Sequence, residues 1–473
     1  MKVMKNFIYN ASYQLFILIV PLITTPYISR VLGSEGVGIN AYTNSIIQYF
    51  VLLGSIGIST YGNRQIAYQR NNKETLSQTF WEITVLRIIT ICIAYTAFLV
   101  YLSITSEFKF YFVGQSFQII AAALDISWLF MGLENFKRTV IRNFLVKFIS
   151  IICIFTLIKK SSDLGTYILI LSLSTLIGNV SLWGYLKKTV FKPVFSEFHI
   201  WKHLAPSISL FIPQIAIQIY LVLNKTMLGN ISGVKSAGYF EYSDRIVKMV
   251  LAIVTSLGTV MMPRIASVFA AKQYEKLRKY LYMSGDFTNF LSIPMAFGLA
   301  GIAPRFGPWF MGKEFEITGK LISIEAIVIF LIGWGALIGT QYLIPTNQIG
   351  KYTWAVSISA IINLVLNVPL ISKFGVVGAT FATVASEISS TGLQLFFVRK
   401  QLNLGKLFYG FWKYCISGLL MFCVVRYMNI NTKMSIINLS IQVGSGILVY
   451  FSGIFLLRAP FSFTINKFLK HKL

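Results

Sequence analysis

The sequence predicts an all-α polytopic membrane protein of about 14 transmembrane helices, and three observations carry that reading. Of its 473 residues 55% are hydrophobic and only 12% are charged, about half the charged share of a soluble domain. Apolar stretches of about 20 residues, the length that crosses a bilayer, recur along the whole chain, and mean hydropathy is +0.68. The 42 Lys and Arg, against 16 Asp and Glu, lie in short clusters between those stretches. A net charge of +26 would otherwise suggest nucleic acid, but a nucleic-acid binder gathers its cations on one polar face. Alternation of this kind fits the positive-inside rule and contact with anionic lipid.

Taken in order, the spans centre near residues 18, 49, 94, 121, 148, 175, 214, 252, 298, 333, 362, 386, 417 and 447. The first resembles a signal peptide in its basic start. However, Asn6 to Ser29 is uncharged, long enough to span and lacks a small-residue cleavage pattern before Arg30, so it reads as a retained helix. The third, fifth, eighth and thirteenth spans carry internal charges. With the N-terminus in the cytoplasm, 24 of the 42 Lys and Arg fall in cytoplasmic segments, 11 in external ones and seven within spans. Missing one helix would invert everything downstream and spoil that bias, so an even number of spans with both termini cytoplasmic is expected.

Two stretches rhyme at a spacing near 200 residues. Met4-Lys5-Asn6-Phe7, Pro21, Arg30-Val31-Leu32-Gly33 and Gly38 are echoed by Trp201-Lys202-His203-Leu204, Pro213, Lys225 through Gly229, and Gly238. Six spans separate them, so the halves share one orientation, as in transporters whose substrate path runs between parallel repeats. The expected organisation is a six-helix lobe over 1–198, a second over 199–398, and two additional helices with a cytoplasmic tail over 399–473.

At this point the residues resemble a known family. Ala123-Leu124-Asp125-Ile126-Ser127-Trp128-Leu129-Phe130-Met131-Gly132-Leu133-Glu134, followed by Arg142 and Asn143, is similar to the fourth-span motif of Wzx-type oligosaccharide flippases. Tyr220, Asn224-Lys225, Met227-Leu228-Gly229 and Gly238-Tyr239 resemble its seventh-to-eighth span region. So do Met262-Pro263-Arg264, Pro294, Gly298 and Gly312 its later punctuation, and Asn363, Asn367, Pro369, Gly375 and Gly378-Ala379-Thr380 its eleventh-to-twelfth span hairpin. Asn224 departs from the pattern, which places an acidic residue before the Lys. The family belongs to the multidrug/oligosaccharidyl-lipid/polysaccharide exporter superfamily. The resemblance implies two six-helix lobes around a central cavity. It also implies flipping of undecaprenyl-pyrophosphate-linked oligosaccharide repeat units to the outer leaflet of a bacterial plasma membrane, for capsule or O-antigen synthesis. Lipid-linked oligosaccharide and membrane lipids are the implied partners, with a polysaccharide polymerase downstream.

A pyrophosphate and a polar glycan cross apolar lipid only if cations face a wet path, and Arg suits phosphate best because its planar fork grips two oxygens. A charge at mid-span costs about 2.5–3.5 kcal/mol on insertion scales, so the candidate binding cations are Arg142, Lys147, Arg245 and Lys248, with Arg30 and Lys225 at outer span ends and Arg87. Arg142 and Lys147 lie about 140° apart around a helix. Glu241 with Arg245 and Asp244 with Lys248 form i,i+4 pairs that serve equally to stabilise a helix end. Arg87 is open to snorkelling toward the surface. Asp125, Glu325 and Glu387 are ion-coupling candidates for a proton or sodium gradient, and pairing with a neighbouring cation is the alternative for each. Pro21, Pro213 and Pro294 are candidate hinges, or simple tolerated bends.

No catalytic residues, resident cofactor or metal site are expected. Cys92, Cys153, Cys415 and Cys423 sit in apolar runs without a CxxC pair, and His199, His203 and His471 lie in basic loop or tail segments. Gly33 to Gly38 reads as a turn between helices, and there is no GxxxxGK[ST], which argues against ATP hydrolysis in this chain. The alternatives are a peptidoglycan lipid precursor flippase, a multidrug or cation antiporter of the same fold, whose cavity would be acidic, and a membrane polysaccharide polymerase, which would need a long external loop.

Overall fold

Two long helical stretches without a polar loop open the chain. The computed structural model describes the backbone of residues 2–193 and 198–461. Side chains are described there except at 2–15, 18, 136, 138, 212–214, 216, 217, 219–221, 257, 259 and 260. Every regular element among the described residues is helical, and the chain divides into two compact units, Met1–Gly229 and Asn230–Leu473.

In the first unit, helix α1 (Lys2–Ser55) runs through Pro21 and Pro26 and breaks its geometry only at Gly33 (φ 68°, ψ 180°), a left-handed conformation natural to glycine. A turn at Ile56-Gly57 leads to α2 (Ile58–Gln69). Asn72 caps α3 (Lys73–Ile104), its side chain accepting from the Glu74 and Thr75 amides at 2.9 and 3.3 Å, as short polar side chains do at helix starts. Then come α4 (Lys109–Ala123), the single-turn α5 (Ser127–Gly132), α6 (Phe136–Leu157), α7 (Leu164–Ser181) and α8 (Leu204–Ser232). Phe80, Trp128, Phe130, Ile58 and Leu182 are fully buried together. Gly62 admits the Trp128 ring, since a Cβ there would lie 2.5 Å from Cε3. The end of α8 packs on α1 through Ser45 and Thr226, whose hydroxyls are 2.8 Å apart, and through Gly229 under the Tyr42 ring.

The second unit contains α9 (Val234–Ala270), α10 (Tyr274–Met311), α11 (Glu316–Glu325), α12 (Ile327–Gly335), α13 (Ile349–Phe374), α14 (Val376–Val398), α15 (Leu404–Leu407), α16 (Phe411–Asn431) and α17 (Ile436–Leu456). Past Gly335 the helix continues as a π-helix over Ala336–Leu343, where the Ile344 amide donates to Gly339 and Gln348 to Leu343. The last two long helices pack into this unit, with Tyr414, Met421 and Tyr450 buried beside Ile293. Helices α13 and α14 form a tight hairpin around Gly375 (φ 57°). A Cβ at Gly378 would lie 2.0 Å from the Leu370 carbonyl oxygen. Backbone cannot yield that space. Gly378→Ala is therefore expected to destabilise the second unit by about 1–3 kcal/mol, read as a lower melting temperature of the purified protein.

Ten helices among the described residues are long and apolar enough to cross a membrane, or eleven if the bent pair Lys313–Glu325 and Ile327–Leu343 (45°) is one span. All 14 expected centres fall inside helices, but this test returns fewer spans partly because Ile19–Gln69 is a single run of 51 residues. At about 1.5 Å per residue that run reaches roughly 75 Å, enough for two crossings. Large apolar side chains such as Ile104, Leu448 and Leu456 stand exposed on these helices, as expected of surfaces solvated by lipid. The chain is a multi-pass membrane protein.

Candidate functional site

Four charged residues fall within eight positions of α9, Glu241 to Lys248. Residues three and four apart share a helix face, and here Arg245 reaches Glu241 at 2.5 Å while Lys248 reaches Asp244 at 2.6 Å. The Arg245 guanidinium also lies 5.0 Å from the centre of the Tyr242 ring, a cation–π contact. Glu325, at the last position of α11, is buried, and both Asp244 and Lys248 lie within its electrostatic reach. The structure thus joins two candidate cations and one coupling candidate. The cluster holds three acids against two bases, so its own acids already balance Arg245 and Lys248.

In the first unit Arg142 is half-buried on α6 and donates to Asn179 Oδ1 at 2.9 Å, while Asn179 Nδ2 donates to the Ala121 carbonyl at 2.7 Å. Gly178 leaves room for the guanidinium, because a Cβ there would sit 3.2 Å from Nη1. Lys147, on the same helix, is exposed. Arg30 is exposed and turns back to the Pro26 carbonyl at 2.9 Å; Lys225 is half-buried on α8.

Arg87 does not snorkel. It is 3% exposed, with Nε donating to the Ala122 carbonyl at 2.6 Å, Nη1 to Ser59 Oγ at 2.9 Å and Nη2 to Asp125 at 3.4 Å. The last carbonyls of α4 have no intrahelical donor, and a cation satisfies them well. Asp125 also accepts the Ser127 amide at 2.9 Å, at the start of α5. Both groups are occupied in joining α2, α3, α4 and α5. Glu387 is half-buried on α14, near Tyr352. Pro21 and Pro294 lie inside α1 and α10, and the Pro213 side chain lies outside the described residues.

Two arrangements escape sequence reasoning. Glu82, with its side chain fully buried, accepts from Lys202 Nζ and His203 Nε2, both at 2.8 Å, and from the His199 amide at 2.9 Å. His203 Nδ1 is 2.8 Å from the Tyr61 hydroxyl, so a neutral ring with its proton on Nε2 satisfies both neighbours. The only hint was an acid inside an apolar run, with its partners about 120 positions away. The second is a neutral amide cluster. Asn44 and Gln48 on α1 donate to Gln118 at 3.2 and 3.0 Å, and Gln115 on α4 donates to Asn40 at 3.0 Å. Such amides bind membrane helices together without any charge signal.

Burial pushes the His203 imidazole below its ordinary pKa, with the Glu82 carboxylate drawing it part of the way back. Lys202 beside it also opposes a positive ring. A folded pKa below the unfolded value of about 6.5 means this residue's stabilisation is present above that pH and lost as pH falls through the folded value. Acidification from about pH 7.5 to 5.5 should lower the melting temperature of the wild type more than that of His203→Gln.

Among the described residues no group of three or more His, Cys, Asp or Glu is placed to hold a metal ion. Among solved structures, the chain is similar to a lipid II flippase MurJ in an inward closed conformation. That likeness covers 96% of this chain and 99% of the other at 18% identity, with a TM-score of 0.75. An inward-facing multidrug resistance MATE family transporter of the MOP superfamily gives a TM-score of 0.60 at 12% identity, over 81% of this chain and 98% of the other. The polytopic fold is theirs. Among sequences, the "Putative O-antigen transporter" of Escherichia coli is 24% identical over 405 residues, 84% of this chain and 96% of its own. The "Probable low-salt glycan biosynthesis flippase" of Haloferax volcanii is 26% identical over 298 residues, 61% of each. The family model described as polysaccharide biosynthesis protein matches residues 3–269, more than half of the chain. The chain belongs to that polysaccharide biosynthesis protein family.

Proposed function

We propose that this chain is a transporter that flips lipid-linked oligosaccharides across the membrane for polysaccharide synthesis. The observation that carries the reading is the relationship over 84% of the chain to a protein named as an O-antigen transporter. The finer statement is movement of undecaprenyl-pyrophosphate-linked repeat units from the inner to the outer leaflet of a bacterial plasma membrane, both termini cytoplasmic. Half-buried Arg142 and Arg245 support it, since the planar guanidinium fork matches the oxygens of a phosphate. The lipid part of such a substrate has a counterpart in an apolar cavity of about 500 Å³ within the second unit, lined by Phe290, Leu299, Met421, Val425, Ile447 and Tyr450. A polyprenyl chain suits that lining.

Glu325 beside Asp244 and Lys248 is the coupling element in this reading, carrying the proton or sodium ion whose gradient drives transport. A polymerase acting on the delivered units is the partner expected downstream. The decisive experiment deletes the gene and follows lipid-linked sugars. Accumulation of complete repeat units on the inner leaflet supports flipping; normal translocation with shortened polymer overturns it in favour of a polymerase.

A further inference from the structure

Where α10 begins and α14 gives way to α15, the second unit opens a polar cavity of about 620 Å³ lined by Arg278, Lys279, Lys400 and Lys406, with Tyr282 and Glu275. That volume lies in the range of small-ligand sites. Several cations elsewhere in the chain are matched, to acids as at Arg70, Lys202, Arg245 and Lys248, or to rings, as where Arg264 lies 4.6 Å from Tyr280 and Arg399 lies 3.8 Å from Phe396. Around this cavity none of the four has an ion pair or side-chain hydrogen bond among the described residues, and neither has Glu275. The positive-inside rule asks only for cations near the surface. It does not bring two segments some 120 residues apart around one hollow.

The walls are fixed before any ligand arrives. Gln401 accepts from the Tyr342 hydroxyl at 2.8 Å and from Gln348 at 2.9 Å, and donates back to Gln348 at 2.8 Å. Tyr282 accepts the Asn403 amide at 3.2 Å. These neutral contacts supply no counter-anion, and with Glu275 the one acid among the lining residues the four cations keep a surplus positive charge that an anion from outside would neutralise. Exposed Tyr274 at the start of α10, Tyr409 in the turn after α15 and Trp412 at the start of α16 are of the kind that marks the headgroup level of a bilayer.

We propose that this cavity binds a ligand bearing two linked or neighbouring phosphate groups, gripped by Arg278 and Lys279 from α10, by Lys400 just after α14 and by Lys406 in α15. Four cations less Glu275 leave three positive charges, the match for a diphosphate rather than a single phosphate. The same chemistry reaches the cavity from the bilayer, as the headgroup of a diphosphate lipid, or from solution, as a free diphosphate. The proposal does not depend on the transported substrate.

The test uses the full chain and two probes. In one arm, phosphatidylcholine nanodiscs with and without diphosphatidylglycerol are examined by native mass spectrometry for retained lipid. In the other, inorganic pyrophosphate and inorganic phosphate are titrated calorimetrically against the detergent-solubilised protein. Arg278→Gln/Lys400→Gln and Lys279→Gln/Lys406→Gln are compared with Lys313→Gln/Lys373→Gln, which removes the same charge from exposed positions elsewhere. The expected result is roughly tenfold weaker binding in both cavity variants and none lost in the control. Loss confined to the lipid arm assigns the headgroup; loss confined to pyrophosphate assigns the soluble ligand. Equal effects in cavity and control variants, no binding of either probe, or equal affinity for phosphate and pyrophosphate each overturn the proposal.

Discussion

Arg245→Gln and Arg142→Gln are each expected to reduce delivery of lipid-linked oligosaccharide by roughly 10- to 100-fold while leaving the amount of inserted protein unchanged. A hydrogen bond to a charged group contributes about 1.5–3 kcal/mol, and each 1.4 kcal/mol is about a factor of ten. Neither arginine is fully buried, so neither is needed to close a core. Surface polysaccharide and inner-leaflet lipid-linked sugars report transport, and immunoblots of the membrane fraction report insertion. Removing Arg245 also strands Glu241, its partner at 2.5 Å. The double variant Arg245→Gln/Glu241→Gln separates the two causes: if it restores transport, the defect came from the stranded acid. Unchanged polysaccharide in both single variants would remove these residues from the substrate path.

Glu82→Ala should produce the largest loss of stability. The carboxylate is fully buried and receives Lys202, His203 and the His199 amide. Removing one member of a buried charged network costs about 3–5 kcal/mol, because the remaining polar groups keep their desolvation penalty without compensation. For a unit of this size, 3 kcal/mol corresponds to a fall in melting temperature of roughly 6–12 °C. Glu82→Gln, which keeps acceptor and shape, should lose less. Thermal unfolding of the purified protein measures both, and an unchanged midpoint in Glu82→Ala would refute the structural role of the network.

What sequence made legible follows from the range of each interaction. Membrane helices announce themselves because their apolar runs are local, and the Glu241–Arg245 and Asp244–Lys248 pairs were readable because both partners sit on one helix. Arg87 and Asp125 were visible as charges in apolar surroundings, but their union spans 38 residues and the closing of α4 depends on tertiary approach. Glu82 and His203, 121 residues apart, left no local trace of each other. Continuity through Gly33 was equally hidden, since a glycine turn between two apolar runs reads as a loop until the backbone shows helix on both sides. The bare cations of the α10 cavity were counted as topology signals; only the fold reveals that they converge.

The π-helix at Ala336–Leu343 bears on how this chain tolerates changes of length. Its amides reach five residues back instead of four, so the stretch carries surplus backbone. Excising one residue from an ordinary helical turn would spin everything downstream by about 100° and carry apolar faces out of register. Within this stretch the same excision would let the bonding relax to regular pitch, making it a place where a genetic lesion fatal elsewhere becomes survivable.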